Sequence, residues 1–425
     1  MSFREWKIWL KSLPFSMKWM VILILVRPIV DMFYFLKEVS PVISPLYIIG
    51  FLTPFLIGFS LLSKTFPKLI KSIVSDFIFS AWSLIVVFSL LVYLASNLDI
   101  GAVGDALRYL TPILLFFYFR HFINSKKNLK GILQTFLYSA YIPAFLLVYE
   151  LLIGPINAEY LSEGRGGGAR IQGAYADIMN YAIYATGAFL VKGYFFFIEN
   201  KKRSSKLKNL IGLLIVFSFS FMALIAIKQT STWAVMISLI GLFLILNLGN
   251  LKGLLIILLF SPLLLFFAQK TYTSKIEPLV AKEYKVIRGE ADIDRSFNGR
   301  MTRWKEYFEV WNEMPAEANL FGVLLSGNDK AKVMISGGMH SDYVRVLFLS
   351  GIVGLLFYLF FIFTLFKRYF VLSKEDRFLV VGAVVSLLLY SITTNPLLYT
   401  PFMYAILPIY CYAILPRTVL KKQDA

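Results

Sequence analysis

The chain has 425 residues, of which 58% are hydrophobic and only 16% charged, and its mean hydropathy is +0.70. Soluble domains are roughly 45 to 50% apolar and about 25% charged, so the composition excludes a soluble globular protein and specifies an integral membrane one. A formal charge of +18, from 43 Lys and Arg against 25 Asp and Glu, would suggest nucleic acid in a soluble chain. In a membrane chain it is first a loop asymmetry across the bilayer, and no nucleic-acid partner is expected. The single cysteine, Cys411, excludes an intrachain disulfide and a cysteine metal cluster, and with only His121 and His340 there is no histidine-rich metal site.

A spanning helix needs about 20 mostly apolar residues. Twelve windows qualify, at 17–36, 42–62, 74–95, 105–119, 131–153, 173–198, 209–227, 231–248, 253–268, 342–366, 378–395 and 399–415. The fourth is short and contains Pro112, which predicts a kink or a tilted, partly buried helix. The basic stretch Arg4, Lys7, Lys11 and Lys18 followed by an apolar run imitates a signal peptide, but no small-residue cleavage site follows, so it reads as an uncleaved first span.

Basic residues in short loops mark the cytoplasmic side. With the N-terminus inside, that side collects Arg4 to Lys18, then Lys64 to Lys71, Arg120 to Lys130, Lys201 to Lys208, Lys252, Lys367 to Arg377 and Arg417 to Lys422. The short loops opposite carry only Lys37, Arg165, Arg170 and Lys228. The expectation is an all-α integral membrane protein, one polytopic domain over residues 1–425, with about twelve transmembrane helices and both termini cytoplasmic. Two external segments are longer than packing requires, 154–172 and 269–340, and long loops usually carry function.

Along the chain, Arg27 and Asp31 lie four residues apart inside the first span, so they can pair on one face. They are either a functional intramembrane pair or a structural one at the Pro28 kink. The first external loop contains Gly164-Arg165-Gly166-Gly167-Gly168-Ala169-Arg170, in which glycine amides and guanidinium groups can cradle a pyrophosphate; a plain flexible glycine loop is the alternative. Lys228 is a further cation at the outer end of the seventh span. In the long loop, Arg300 and Arg303 precede an amphipathic stretch near 301–314 with Met301, Trp304, Tyr307, Phe308, Trp311 and Met314 on one face. Such a helix is expected to lie on the membrane with its aromatic side among headgroups and its arginines at phosphate depth, either holding a substrate or simply anchoring. His340 sits where the tenth span begins, followed by Ser341, Asp342, Tyr343 and Arg345. Ser341 or Asp342 can cap that helix, whereas Arg345 is unfavourable in a first turn unless a phosphate or carboxylate offsets it. A histidine here suits a general base for a hydroxyl group, and a loop histidine bonded to backbone is the rival reading.

In their order and membrane placement these residues resemble the polysaccharide polymerase and O-antigen ligase family of bacterial envelopes. The resemblance covers the whole chain and rests on Arg300-Met301-Thr302-Arg303-Trp304, Leu320-Phe321-Gly322, His340-Ser341-Asp342-Tyr343, Gly351-Ile352-Val353-Gly354-Leu355, the stretch from Arg170 to Asn180, and Arg27-Pro28 with Asp31. It implies a glycosyltransferase of the GT-C type in the bacterial inner membrane, needing no metal or cofactor. The enzyme would work on the periplasmic side in lipopolysaccharide or other surface-polysaccharide biosynthesis. It further implies undecaprenyl-pyrophosphate-linked oligosaccharide as donor and acceptor, membrane lipid around it, and a chain-length regulator as a candidate partner. By the same resemblance His340 matches the general base and Arg300 an arginine that holds pyrophosphate, with Arg303, Arg170, Arg165, Lys228 and Arg345 as further cations and Asp342 and Tyr343 in support. Where the ligase pattern has a Ser-Arg pair, this chain has Ser231-Thr232-Trp233, which tilts the expectation to polymerase over ligase. A twelve-helix secondary transporter or lipid-linked sugar flippase is the reading from another class; the absence of an internal repeat between the halves speaks against it.

Overall fold

The computed structural model describes residues 1–40, 43–96, 100–156, 174–175, 177–199, 206–227, 229–248, 300–326, 339–370 and 372–415, with the side chains of 37–38, 62–75, 100, 206, 208 and 300–301 excepted. Among these residues the secondary structure is helical, without strands. The main helices are α1 (Phe3–Ser12), α2 (Phe15–Met32), α3 (Pro45–Ser75), α4 (Phe77–Ser96), α5 (Ile100–Phe122), α6 (Lys126–Ser139) and α7 (Tyr141–Leu152). They continue with α8 (Met179–Glu199), α9 (Lys206–Ile227), α10 (Thr230–Leu248), α11 (Arg300–Asn312), α12 (Ala316–Phe321), α13 (Asp342–Lys367), α14 (Lys374–Thr393) and α15 (Thr400–Ala413).

Eight helices among the described residues are long and apolar enough to cross a membrane, counting α6 with α7 as one. They coincide with the third to eighth, tenth and eleventh predicted windows. The fourth, expected to be short, is a full-length helix, because Pro112 is accommodated inside it. Three other windows correspond to helices outside this set. α2 carries Lys18, Arg27 and Asp31, α3 is apolar over Pro45–Leu61, and α15 has only 14 residues. The ninth window, 253–268, lies outside the described residues.

The N-terminus departs from the single predicted span. A separate helix, α1, precedes it, started by a reciprocal cap in which Ser2 N–H donates to Glu5 Oε2 (2.7 Å) and Glu5 N–H to Ser2 Oγ (3.2 Å). Its Trp6 and Trp9 face the bundle while Arg4, Lys7 and Lys11 stay exposed. Trp6 Nε1 donates to Thr135 Oγ1 (2.9 Å) and Trp9 Nε1 to Asn128 Oδ1 (3.0 Å), both on α6. Gly131 admits the indole, since a Cβ there would lie 2.2 Å from Trp9.

The centre of the bundle is α15, whose residues from Pro401 to Ala413 are all buried, against α2, α5, α6, α8 and α14. At about 1.5 Å per residue it is too short to cross about 30 Å of hydrocarbon alone. Its surroundings are protein, which removes that requirement. Its neighbour α8 is buried along nearly its whole length.

One stretch of the predicted external loop enters the bundle. α12 packs against α13 and buries Ala318, the 3-10 turn that follows (Val323–Ser326) packs on α4 and α13 and buries Val323 and Leu324, and Ser89 Oγ donates to the Phe321 carbonyl (3.1 Å). There α13 is kinked at Gly351 (φ 67°), and the backbones of Gly322 and Gly351 meet. A Cβ on Gly322 would lie 2.2 Å from Leu349 O, and one on Gly351 2.1 Å from Leu320 O. Only glycine fits at either position, by conformation and by space.

Candidate functional site

Hydrogen bonds bring one set of helix ends together. Asp342 N–H donates to Thr394 O (3.1 Å), Leu397 N–H donates to Asp342 Oδ2 (3.1 Å), Tyr399 OH donates to Asp177 Oδ2, and Gln229 Nε2 approaches Met179 Sδ (2.9 Å). The starts of α8, α10, α13 and α15 and the end of α14 therefore share one end of the molecule, where charge alternation expects the external face. Opposite, Arg120 pairs with Asp76 (2.5 Å), and buried Lys126 with Asp376 (3.0 Å) and Glu375 (3.7 Å). These two of the cations that mark the cytoplasmic side are paired with acids within the fold.

His340 is the sole non-glycine residue with positive φ (51°) among the described residues. Left-handed backbone costs an L-residue roughly 1 to 2 kcal/mol, so its surroundings must hold it. On one side the Met339 carbonyl, on a buried residue, accepts from Trp304 Nε1 (3.0 Å). On the other, Ser341 Oγ donates to Ser391 O (3.0 Å) and accepts from Val344 N–H (3.5 Å), so Ser341 is the cap of α13.

α11 places Arg300 one turn before Trp304, and Arg303 on that helix is exposed. On the aromatic side of α11, expected among headgroups, two rings are covered by protein and Phe308 stays exposed. Tyr307 and Trp311 are buried, and with Phe308 their rings pack on Phe348 of α13 at centroid distances of 5.9, 5.1 and 6.1 Å. A protein surface was available to cover them, so the helix is a docked element, tied through Trp304 to the residue before His340. Burial pushes the Tyr307 hydroxyl above its ordinary pKa against the pull of Arg303, which keeps it neutral in that contact.

One expected phosphate contact, Arg345, and the two supporting residues, Asp342 and Tyr343, have partners within the fold. Arg345 needs no phosphate to offset the helix dipole, because Asp342 Oδ1 accepts from its Nε (2.8 Å) and lies 2.6 Å from Nη2, while the guanidinium covers the Tyr109 ring at 5.6 Å. Asp342, fully buried, spends its other oxygen on the α14–α15 connection. Tyr343 OH donates to Leu388 O (3.2 Å). All three frame the start of α13. Arg165, Arg170 and Lys228 lie outside the described residues, as does the side chain of Arg300.

Arg27 and Asp31 do pair (2.8 Å), within the bundle. Tyr184 and Tyr404 interact electrostatically with both, and Tyr175 with Asp31. Asp31 Oδ2 and the hydroxyls of Tyr175 and Tyr404 are buried without a hydrogen-bond partner.

Sequence reasoning missed four residues. Glu150, buried at the end of α7, accepts from Ile156 N–H (3.1 Å) and Ala174 N–H (2.6 Å) on either side of the Gly/Arg loop, and from Tyr181 OH (2.7 Å). Its signal was an acid inside an apolar window. Asp177 caps α8 by accepting from Met179 N–H (2.9 Å) and holds Tyr399, which interacts electrostatically with exposed Arg108. A cavity of about 510 Å³ between α7 and α9, lined by Phe145, Val148, Leu214 and Met222 among others, is apolar and contains none of the candidate residues. No protein-family model matches the chain, and no curated protein matches it.

Proposed function

We propose that the chain is a surface-polysaccharide polymerase of the O-antigen type, joining undecaprenyl-pyrophosphate-linked repeat units on the external side of a twelve-span membrane domain. The observation that carries the reading is the junction of α11 with α13. The helix that begins at Arg300 is tied by Trp304 to the peptide before His340, a histidine held in a strained conformation at a helix start. Strain of that kind persists where the surroundings over-determine it, and it clusters at active sites.

In the reaction, a hydroxyl oxygen of the acceptor sugar attacks the anomeric carbon of the donor glycan. The new C–O bond forms as the bond from that carbon to the pyrophosphate oxygen breaks, with inversion. His340 takes the hydroxyl proton. The departing pyrophosphate is neutralised by Arg300 and Arg303, joined by Arg165, Arg170 and Lys228, which takes the part a metal plays elsewhere. Arg345 is spent on Asp342 and is left out of this set.

Cells carrying His340→Ala are expected to show single repeat units in place of a polymer ladder, since loss of general-base help costs about 10²- to 10⁴-fold. A wild-type ladder from well-expressed His340→Ala protein refutes the assignment. The nearest rival, ligation of finished polymer to lipid A core, is separated by supplying purified lipid-linked repeat unit alone, which only a polymerase lengthens. Counterflow of a labelled solute in liposomes would instead favour the transporter or flippase.

A further inference from the structure

The residue that joins the arginine helix to the histidine is itself neither cation nor base. We infer that Trp304 is a positioning residue, which sets the direction of the His340 imidazole through the hydrogen bond from its indole N–H to the Met339 carbonyl; the inference rests on the proposed reaction. Three observations carry it. The bond is made to the peptide immediately before the strained residue, and so constrains the torsion that is out of its ordinary range. The far side of His340 is fixed by Ser341 on Ser391 O and by Asp342 N–H on Thr394 O, and Trp304 clamps the near side. Finally, Tyr307 and Trp311 lock α11 onto Phe348, so the indole is presented from a rigid helix. Pyrophosphate held at the start of α11 and proton removal at His340 are thereby coupled through one side chain. A base misplaced by about 1 Å loses up to about 10²-fold in rate.

The test uses the full-length protein in liposomes with purified lipid-linked repeat unit, comparing wild type, Trp304→Phe, and Lys305→Ala as a control on the exposed side of α11. Trp304→Phe keeps an aromatic ring and removes the N–H together with part of the indole. The expected result is a maximal rate lower by about 10- to 100-fold, with KM within about twofold of wild type, while Lys305→Ala is unchanged. In parallel, the rate at which diethyl pyrocarbonate modifies His340 is read by mass spectrometry, with His121 in the same molecule as reference. It is expected to change in Trp304→Phe and not in Lys305→Ala. A wild-type maximal rate in Trp304→Phe overturns the inference, as does a raised KM alone, which would mean that Trp304 merely binds substrate. If wild type lengthens nothing while His340 reactivity still changes in Trp304→Phe, the polymerase reading falls and the positioning of His340 by Trp304 stands.

Discussion

His340 separates two demands that usually coincide. A left-handed backbone favours glycine, so His340→Gly should relieve strain of about 1 kcal/mol and roughly offset the added chain entropy. The variant is expected to unfold no earlier than wild type in a detergent thermal melt while its polymer is lost. A clear fall in melting temperature would mean that the side chain is structural. Gly322 and Gly351 behave oppositely, because each Cβ would be driven into a carbonyl about 2 Å away. Gly351→Ala should cost about 3 kcal/mol or more, read as loss of the folded species in size exclusion. The motif carrying these glycines was legible in the sequence, but their reason was not, since the contact joins backbones 29 residues apart. Asp31 belongs to the same scale. Removing one partner of a buried ion pair costs about 3 to 5 kcal/mol, so Asp31→Ala should destabilise by that order, whereas Arg27→Met with Asp31→Leu should recover much of it; an equally unstable double variant would refute a purely structural pair.

At the scale of elements, hydropathy found helices well wherever they are long, and failed where a helix meets protein on an amphipathic face. α1 and α11 are the examples. Periodicity placed aromatics on one side of α11 but was not read in α1, and in both helices tryptophans on that side pack on the bundle. Glu150 shows how an element end can govern a loop. Its buried carboxylate ties the residues flanking the Gly/Arg segment to α8, and hydrogen bonds to a charged acceptor contribute about 1.5 to 3 kcal/mol each. Glu150→Ala should therefore speed hydrogen exchange at Ile156 and Ala174 by tenfold or more, with the amides of α14 unaffected. Unchanged exchange at Ala174 would show that the loop base is held by other means.

For the whole molecule the informative quantity is where the +18 charge lies. Loop alternation assigns the surplus to one side, which predicts a labelling pattern. With Cys411, the only native thiol and a buried one, replaced by serine, a membrane-impermeant maleimide applied to spheroplasts should label Glu313→Cys and not Lys127→Cys. Both positions are exposed in the fold. Labelling at Lys127 in sealed cells would invert the orientation and with it the side on which His340 works.

The sequence by itself determined that the protein is helical and membrane-embedded, and where its long apolar helices run, because hydrocarbon imposes length and composition residue by residue. It also picked out His340 and Ser341 as a helix start, since capping is local. Tertiary structure decided which apolar surfaces face protein and which face lipid. The two environments reward the same side chains, so hydropathy cannot tell α15, enclosed by five helices, from an ordinary span. It likewise decided that α12 would wedge at Gly351 and that Trp304 would reach the carbonyl before His340. Both contacts join segments separated along the chain and depend on distances that no local pattern of residues encodes, whereas the Asp342–Arg345 pair is set by helical spacing.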